Sequence, residues 1–181
     1  MPFQTPACDF GDPAPPFHLP DAHGQIHNLT DYIGAGGVLI AFICNHCPYV
    51  VAIADRLAQD ARVLAAAGVG VLAINANDAV AYPADAPEKM PAFAKKHGFD
   101  FPYLVDTDQS VARAYGAVCT PDFFGFNADG LLQYRGRLDD AGRGSAAQRN
   151  PELLNAMRQI AETGRGPQDQ VPSMGCSIKW R

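Results

Sequence analysis

The chain has 181 residues, 48% hydrophobic and 18% charged, with a net charge of −5 at neutral pH. That length suits one domain with its own core, and the acidic balance without a basic run argues against nucleic-acid binding. No apolar run approaches the length of a membrane span and no leader peptide opens the chain, so a cytoplasmic protein with no membrane contact is expected.

Residues 1–16 are proline-rich and aperiodic, which predicts an extended arm. Two short extended runs, 17–20 and 25–29, flank Asp21-Ala22-His23-Gly24 and predict a hairpin. Thr30-Asp31-Tyr32 suits a short helix ending at Gly34 to Gly37. Val38 to Ile43 is apolar throughout, as in a strand covered on both faces. A helix is predicted from about Tyr49 to Ala67, with Ile53, Leu57, Val63 and Leu64 on its packed face. Gly68 to Asn75 is a second buried strand, and the strand–helix–strand order implies a parallel pair.

Glu88 to His97 predicts a helix closed by Gly98, and 101–105 a short edge strand carrying Pro102. Asp108 is positioned to cap a helix running through Tyr115. Phe123 to Phe126 and Leu131 to Arg135 form a hairpin around Asn127-Ala128-Asp129-Gly130. Pro151 to Thr163 is the last helix, with Leu153, Leu154, Met157 and Ile160 on one face. The expected division is a domain over 1–163 and a C-terminal tail over 164–181.

The chemistry centres on Cys44-Asn45-His46-Cys47-Pro48, two cysteines between a buried strand and a helix start. The free N–H groups and positive dipole end of a helix stabilise a thiolate. Cys44 is expected to be the exposed, attacking sulfur and Cys47 the buried, resolving one, with His46 tuning the pair. The five cysteines are an odd, scattered set, unlike a secreted disulfide framework. No second C-x-x-C or histidine pair completes a zinc set, although a metal-binding or redox-sensing module using Cys44, His46 and Cys47 stays open. Cys119 and Cys176 are possible auxiliary thiols, Cys176 if the tail folds back over the dithiol.

Hairpin, strand, C-x-x-C, helix and strand, then Val118-Cys119-Thr120-Pro121 before a hairpin and a final helix, resembles the thioredoxin-like superfamily. Gly11-Asp12-Pro13-Ala14-Pro15-Pro16-Phe17-His18-Leu19-Pro20-Asp21 resembles the opening of its redoxin, or AhpC/TSA-like, branch. Cys-Asn-His-Cys-Pro-Tyr-Val at 44–50, Tyr134-Arg135-Gly136-Arg137 with Asp139-Asp140, and Gly175-Cys176-Ser177-Ile178-Lys179-Trp180 are similar to a narrower group of uncharacterised redoxins.

The resemblance implies an α/β, thioredoxin-like fold: a central mixed sheet flanked by helices, with an N-terminal β-hairpin extension and a C-terminal tail. It implies that Pro121 is a cis-proline facing the dithiol and that Thr120 offers its backbone to substrate. The implied activity is thiol–disulfide exchange without a cofactor, acting on protein disulfides or small thiol or peroxide substrates. An external reductant such as thioredoxin or glutathione would restore the dithiol.

Three departures from the family pattern are visible. No carboxylate lies on the strand before the motif, which leaves Asp78, Asp139 or Asp140 as substitutes. With Cys47 set on the peroxidatic cysteine of Pro-x-x-x-Thr-x-x-Cys, the threonine position is Cys44 and the proline position Ile40. Ile43 stands where an aromatic residue is common. A peroxidase reading therefore stays second, with Arg135 or Arg137 as its candidate cation.

Overall fold

The computed structural model describes residues 1–181. Strands β1 (Phe3–Gln4), β2 (His18–Pro20), β3 (Ile26–Asn28) and β4 (Gly37–Phe42) precede helix α1 (Pro48–Ala66). Strand β5 (Val69–Asn75), helix α2 (Met90–His97), strand β6 (Tyr103–Val105) and helix α3 (Ser110–Tyr115) follow. Strands β7 (Cys119–Thr120), β8 (Asp122–Phe126) and β9 (Leu132–Tyr134), helix α4 (Glu152–Thr163) and strand β10 (Met174–Ser177) complete the chain.

The five-stranded sheet has the order β6-β5-β4-β8-β9. Strands β4, β5 and β6 are parallel, and β8 and β9 return antiparallel. β4 sits centrally because all six of its residues can be buried. Its side chains alternate between faces: Leu39 and Ala41 join the core under α1 and α4, while Val38, Ile40 and Phe42 join the core with Val111, Ala112 and Tyr115 of α3. The fold is thus α/β and thioredoxin-like, a mixed sheet with helices on both faces. The hairpin β2–β3 continues the sheet edge through a bridge between Asp21 and Leu104.

Helix α1 buries Val50, Ile53, Ala54, Leu57, Ala61 and Leu64, a stripe at helical spacing. Val63, expected on that stripe, is exposed; it lies about 100° around the helix from Leu64.

A second correction concerns α3. Asp108 reaches only Ser110, at 3.0 Å from its N–H, whereas the buried Asp106 accepts the N–H groups of Val111 and Ala112 at 3.3 and 2.8 Å. The reason is Gln109, which precedes the helix at φ 64° and redirects the chain. That left-handed conformation is costly for a non-glycine residue. Gln109 is held there by hydrogen bonds from its amide to Ala76 O and Lys179 O, at 2.8 and 2.9 Å.

The tail contributes a strand of its own. β10 lies between β1 and β7 in a three-stranded antiparallel sheet, with Phe3 opposite Gly175 and Thr120 opposite Cys176. Bonds on both sides of Cys176 fasten it: Ser173 Oγ donates to Pro121 O at 2.7 Å, and Lys179 N to Asn77 Oδ1 at 2.9 Å.

Candidate active site

Strand β4 ends at Phe42, and Ile43 extends its ladder by one bond, its N–H donating to Ile74 O at 3.0 Å. The chain then turns so that Cys47 becomes the N-cap of α1, with Pro48 in the first turn. Proline fits there because the helix leaves that N–H unpaired. As the N-cap residue, Cys47 sits at the positive end of the helix, with the Val50 N–H of the first turn beside its sulfur.

The Thr120–Pro121 peptide bond is cis, as the resemblance implied. It brings Thr120 against both cysteines. Cys44 Sγ lies 3.4 Å from Thr120 Oγ1, and Cys47 Sγ 3.3 Å from Thr120 O. A third sulfur closes the group: Cys176 Sγ is 2.9 Å from Cys47 Sγ.

The expected contrast in exposure is absent. Cys44 is 1% and Cys47 0% exposed. Cys44, expected at the surface, is buried beside Thr120, whose Oγ1 lies against its sulfur.

The electrostatics separate the two thiols in a direction their positions in the motif did not suggest. Cys47 is lowered to about 4, chiefly because the Cys44 thiol hydrogen-bonds to its sulfur. Burial opposes this, and the Cys176 thiol and the Val50 and Cys176 N–H groups add to it. Cys44 is held far above the ordinary thiol range by the same bond to Cys47, then by burial and by the charge of Asp85. Cys176 is pushed up to about 11 by burial and by Cys47, against the pull of Lys179 and Arg143.

Asp85 is the residue that sequence reasoning missed. It is fully buried, and its Oδ1 accepts the Asn45 N–H at 2.7 Å while Oδ2 accepts Asn77 Nδ2 at 2.8 Å. His46 Nδ1 stands 2.6 Å from Asp85 Oδ2 without the alignment of a hydrogen bond. The His46 ring stacks on Tyr82 with 5.7 Å between centroids. Donor atoms of Cys44, His46 and Asp85 lie within 4.8 Å of one another. As a metal set this offers three ligands where structural zinc takes four, and it uses Asp85 in place of Cys47. Asp85 lies in a short 3-10 turn 40 residues beyond Asn45, with no periodicity or motif to mark it.

The carboxylates proposed from sequence are engaged elsewhere. Asp139 takes Arg56 and Arg149, Asp140 the Asn150 N–H, and Asp78 the Val80 N–H and Arg181. The proposed cations are engaged too. Arg135 pairs with buried Asp122 at 3.0 Å, and Arg137 with Glu152 at 2.8 Å. Cys119, on β7, is fully buried and donates to Pro121 O at 3.6 Å; burial pushes its thiol up to about 12. Beside the cis-proline lies a cavity of about 310 Å³, lined by Tyr49, Pro121, Phe123, Arg143 and Met174 among others.

No helix is long and apolar enough to cross a membrane. The model of the AhpC/TSA family matches residues 10–135, ending well before β10. Peroxiredoxin Bcp of Escherichia coli K12 is 32% identical over 133 residues, spanning 74% of this chain and 80% of its own. Thiol-disulfide oxidoreductase ResA of Geobacillus thermodenitrificans is 32% identical over 130 residues, 70% of this chain and 68% of that one. The crystal structure of an uncharacterized conserved protein from Geobacillus kaustophilus is 40% identical with a TM-score of 0.93, and covers 100% of this chain and 97% of its own.

Proposed function

The chain belongs to the AhpC/TSA family of thiol oxidoreductases, in the redoxin branch of the thioredoxin-like superfamily, and we propose that within it the protein is a thiol–disulfide oxidoreductase whose attacking thiolate is Cys47. The observation that carries this reading is the set of donors around Cys47: the start of α1, the Cys44 thiol and the Cys176 thiol converge on one sulfur.

Cys47 as thiolate attacks a disulfide sulfur and expels one thiolate. Cys44 then gives up its proton and attacks the Cys47 sulfur, expelling the second thiolate and leaving the Cys44–Cys47 disulfide. Asp85, the buried carboxylate within 4.8 Å of Cys44, is the acceptor for that proton, and His46 holds Asp85 from the other side. Two electrons pass to the substrate, and an external thiol such as thioredoxin or glutathione returns them. No cofactor takes part, because the dithiol itself stores the electrons. A compartment that keeps thiols reduced, the cytoplasm, suits this cycle.

Peroxide reduction is the second reading, favoured by the family match and by a thiolate at a helix start. It ranks below because Arg135 and Arg137 are committed to Asp122 and Glu152 and Cys44 stands at the threonine position. Turnover of 2-hydroxyethyl disulfide and of hydrogen peroxide, each with dithiothreitol, separates the two. Disulfide turnover is expected to be lost in Cys47→Ser. Peroxide consumption far faster than disulfide exchange would assign the enzyme to the peroxidases.

A further inference from the structure

β10 occupies the Thr120 backbone edge, the edge that the family resemblance assigns to substrate. It is antiparallel to the short strand that ends at the cis-proline, and Cys176 is directly opposite Thr120. The fit is close, since a Cβ on Gly175 would stand 1.9 Å from Thr120 O, so only glycine lets the strand approach. Cys176 Sγ reaches the Cys47 sulfur, not Cys44. The tail is held on both sides of Cys176, by Ser173 on Pro121 and by Lys179 on Asn77.

We propose that β10 is a resident substrate strand: Cys176 resolves the mixed disulfide on Cys47 within the same chain, and the strand keeps extended polypeptides off the Thr120 edge. The proposal rests on Cys47 being the attacking sulfur and adds a third thiol to the cycle. Cys47 thiolate attacks an external disulfide R–S–S–R, forming Cys47–S–S–R and releasing RS⁻. Cys176 loses its proton and attacks the Cys47 sulfur; the Cys47–S–R bond breaks, a second RS⁻ leaves and Cys47–Cys176 forms. The external disulfide has gained two electrons and the chain has lost two. Cys44 then passes its proton to Asp85 and attacks Cys47 Sγ; the Cys47–Cys176 bond breaks, Cys176 leaves as a thiolate that takes up a proton, and Cys44–Cys47 forms with no further change in oxidation state.

One electrostatic feature favours this order. Two of the causes that hold Cys176 protonated are its bond to Cys47 and the Cys47 charge. Both vanish once Cys47 is bound in a disulfide, while Lys179 and Arg143 continue to favour the Cys176 thiolate.

The test uses the full-length reduced chain and one equivalent of 2-hydroxyethyl disulfide, quenched with N-ethylmaleimide at successive times and mapped by peptide mass spectrometry under non-reducing conditions. Cys47–Cys176 is expected first in the wild type, giving way to Cys44–Cys47. It is expected as the end product in Cys44→Ser. Cys44–Cys47 arising directly, with Cys176 always alkylated, overturns the tail proposal and leaves Cys47 as the attacking sulfur. A first adduct on Cys44 with Cys47 free overturns both. The wild-type time course decides even if Cys44→Ser folds poorly. For the occlusion, Gly175→Val lifts β10 and should raise insulin reduction several-fold relative to hydroxyethyl disulfide reduction; an unchanged ratio refutes it.

Discussion

Replacing Cys44 by alanine removes the largest influence on Cys47, the hydrogen bond from its thiol. A hydrogen bond to a charged group is worth about 1.5–3 kcal/mol, and 1.36 kcal/mol corresponds to one in pKa. The Cys47 midpoint should therefore rise by about 1 to 2 on removing Cys44. It should stay below the ordinary thiol value of about 8.5, because the backbone N–H groups of Val50 and of position 176 remain in place. The assay is the pH dependence of iodoacetamide labelling at Cys47, located by peptide mass, in a Cys176→Ser background with and without Cys44→Ala, checked against ultraviolet thiolate absorbance. An unmoved midpoint on removing Cys44 would refute the claim that Cys44 is the donor. A wild-type Cys44 that titrates below Cys47 would refute the assignment of the attacking sulfur. The sign has a consequence for stability. A thiol depressed in the folded state stabilises the reduced protein fully above its unfolded value, and that stabilisation is lost as pH falls from about 9 toward 4.

One further prediction follows from the dithiol contacts and one from the buried Arg135–Asp122 pair. In Cys176→Ser, reduction of the Cys44–Cys47 disulfide between about pH 5 and 8 takes up one proton for two electrons, so its potential should change by about 30 mV per pH; a slope twice as steep would mean that both thiols stay protonated. Arg135→Met leaves the fully buried Asp122 without its partner, which should cost about 3–5 kcal/mol in urea unfolding. Converting Asp122 to asparagine in the same chain should recover part of that loss, and a loss below about 1 kcal/mol would show the pair to be dispensable.

The elements legible in the sequence were those with local signals. Val38 to Ile43 reads as a doubly covered strand because every residue is apolar, and β4 is buried throughout. The α4 stripe of Leu153, Leu154, Met157 and Ile160 is buried as the helical period requires. The dithiol was legible because C-x-x-C is a local spacing between a strand and a helix, whereas the cis-proline came from the family resemblance of the Thr120-Pro121 pair. β1, β7 and β10, of two to four residues, are too short to show a period. Their existence depends on pairing between distant segments.

The properties that govern the chemistry arise from those distant pairings. Asp85 meets Asn45 across 40 residues, and Cys176 meets Cys47 across 129. A sequence specifies which groups are present and which neighbours lie within a helical turn or a strand repeat. It therefore determined that two thiols stand at a helix start in an α/β domain. Which of them carries the charge depends on burial, on the Asp85 charge and on the donors around each sulfur, and Asp85 and Cys176 reach the dithiol only through contacts between distant segments.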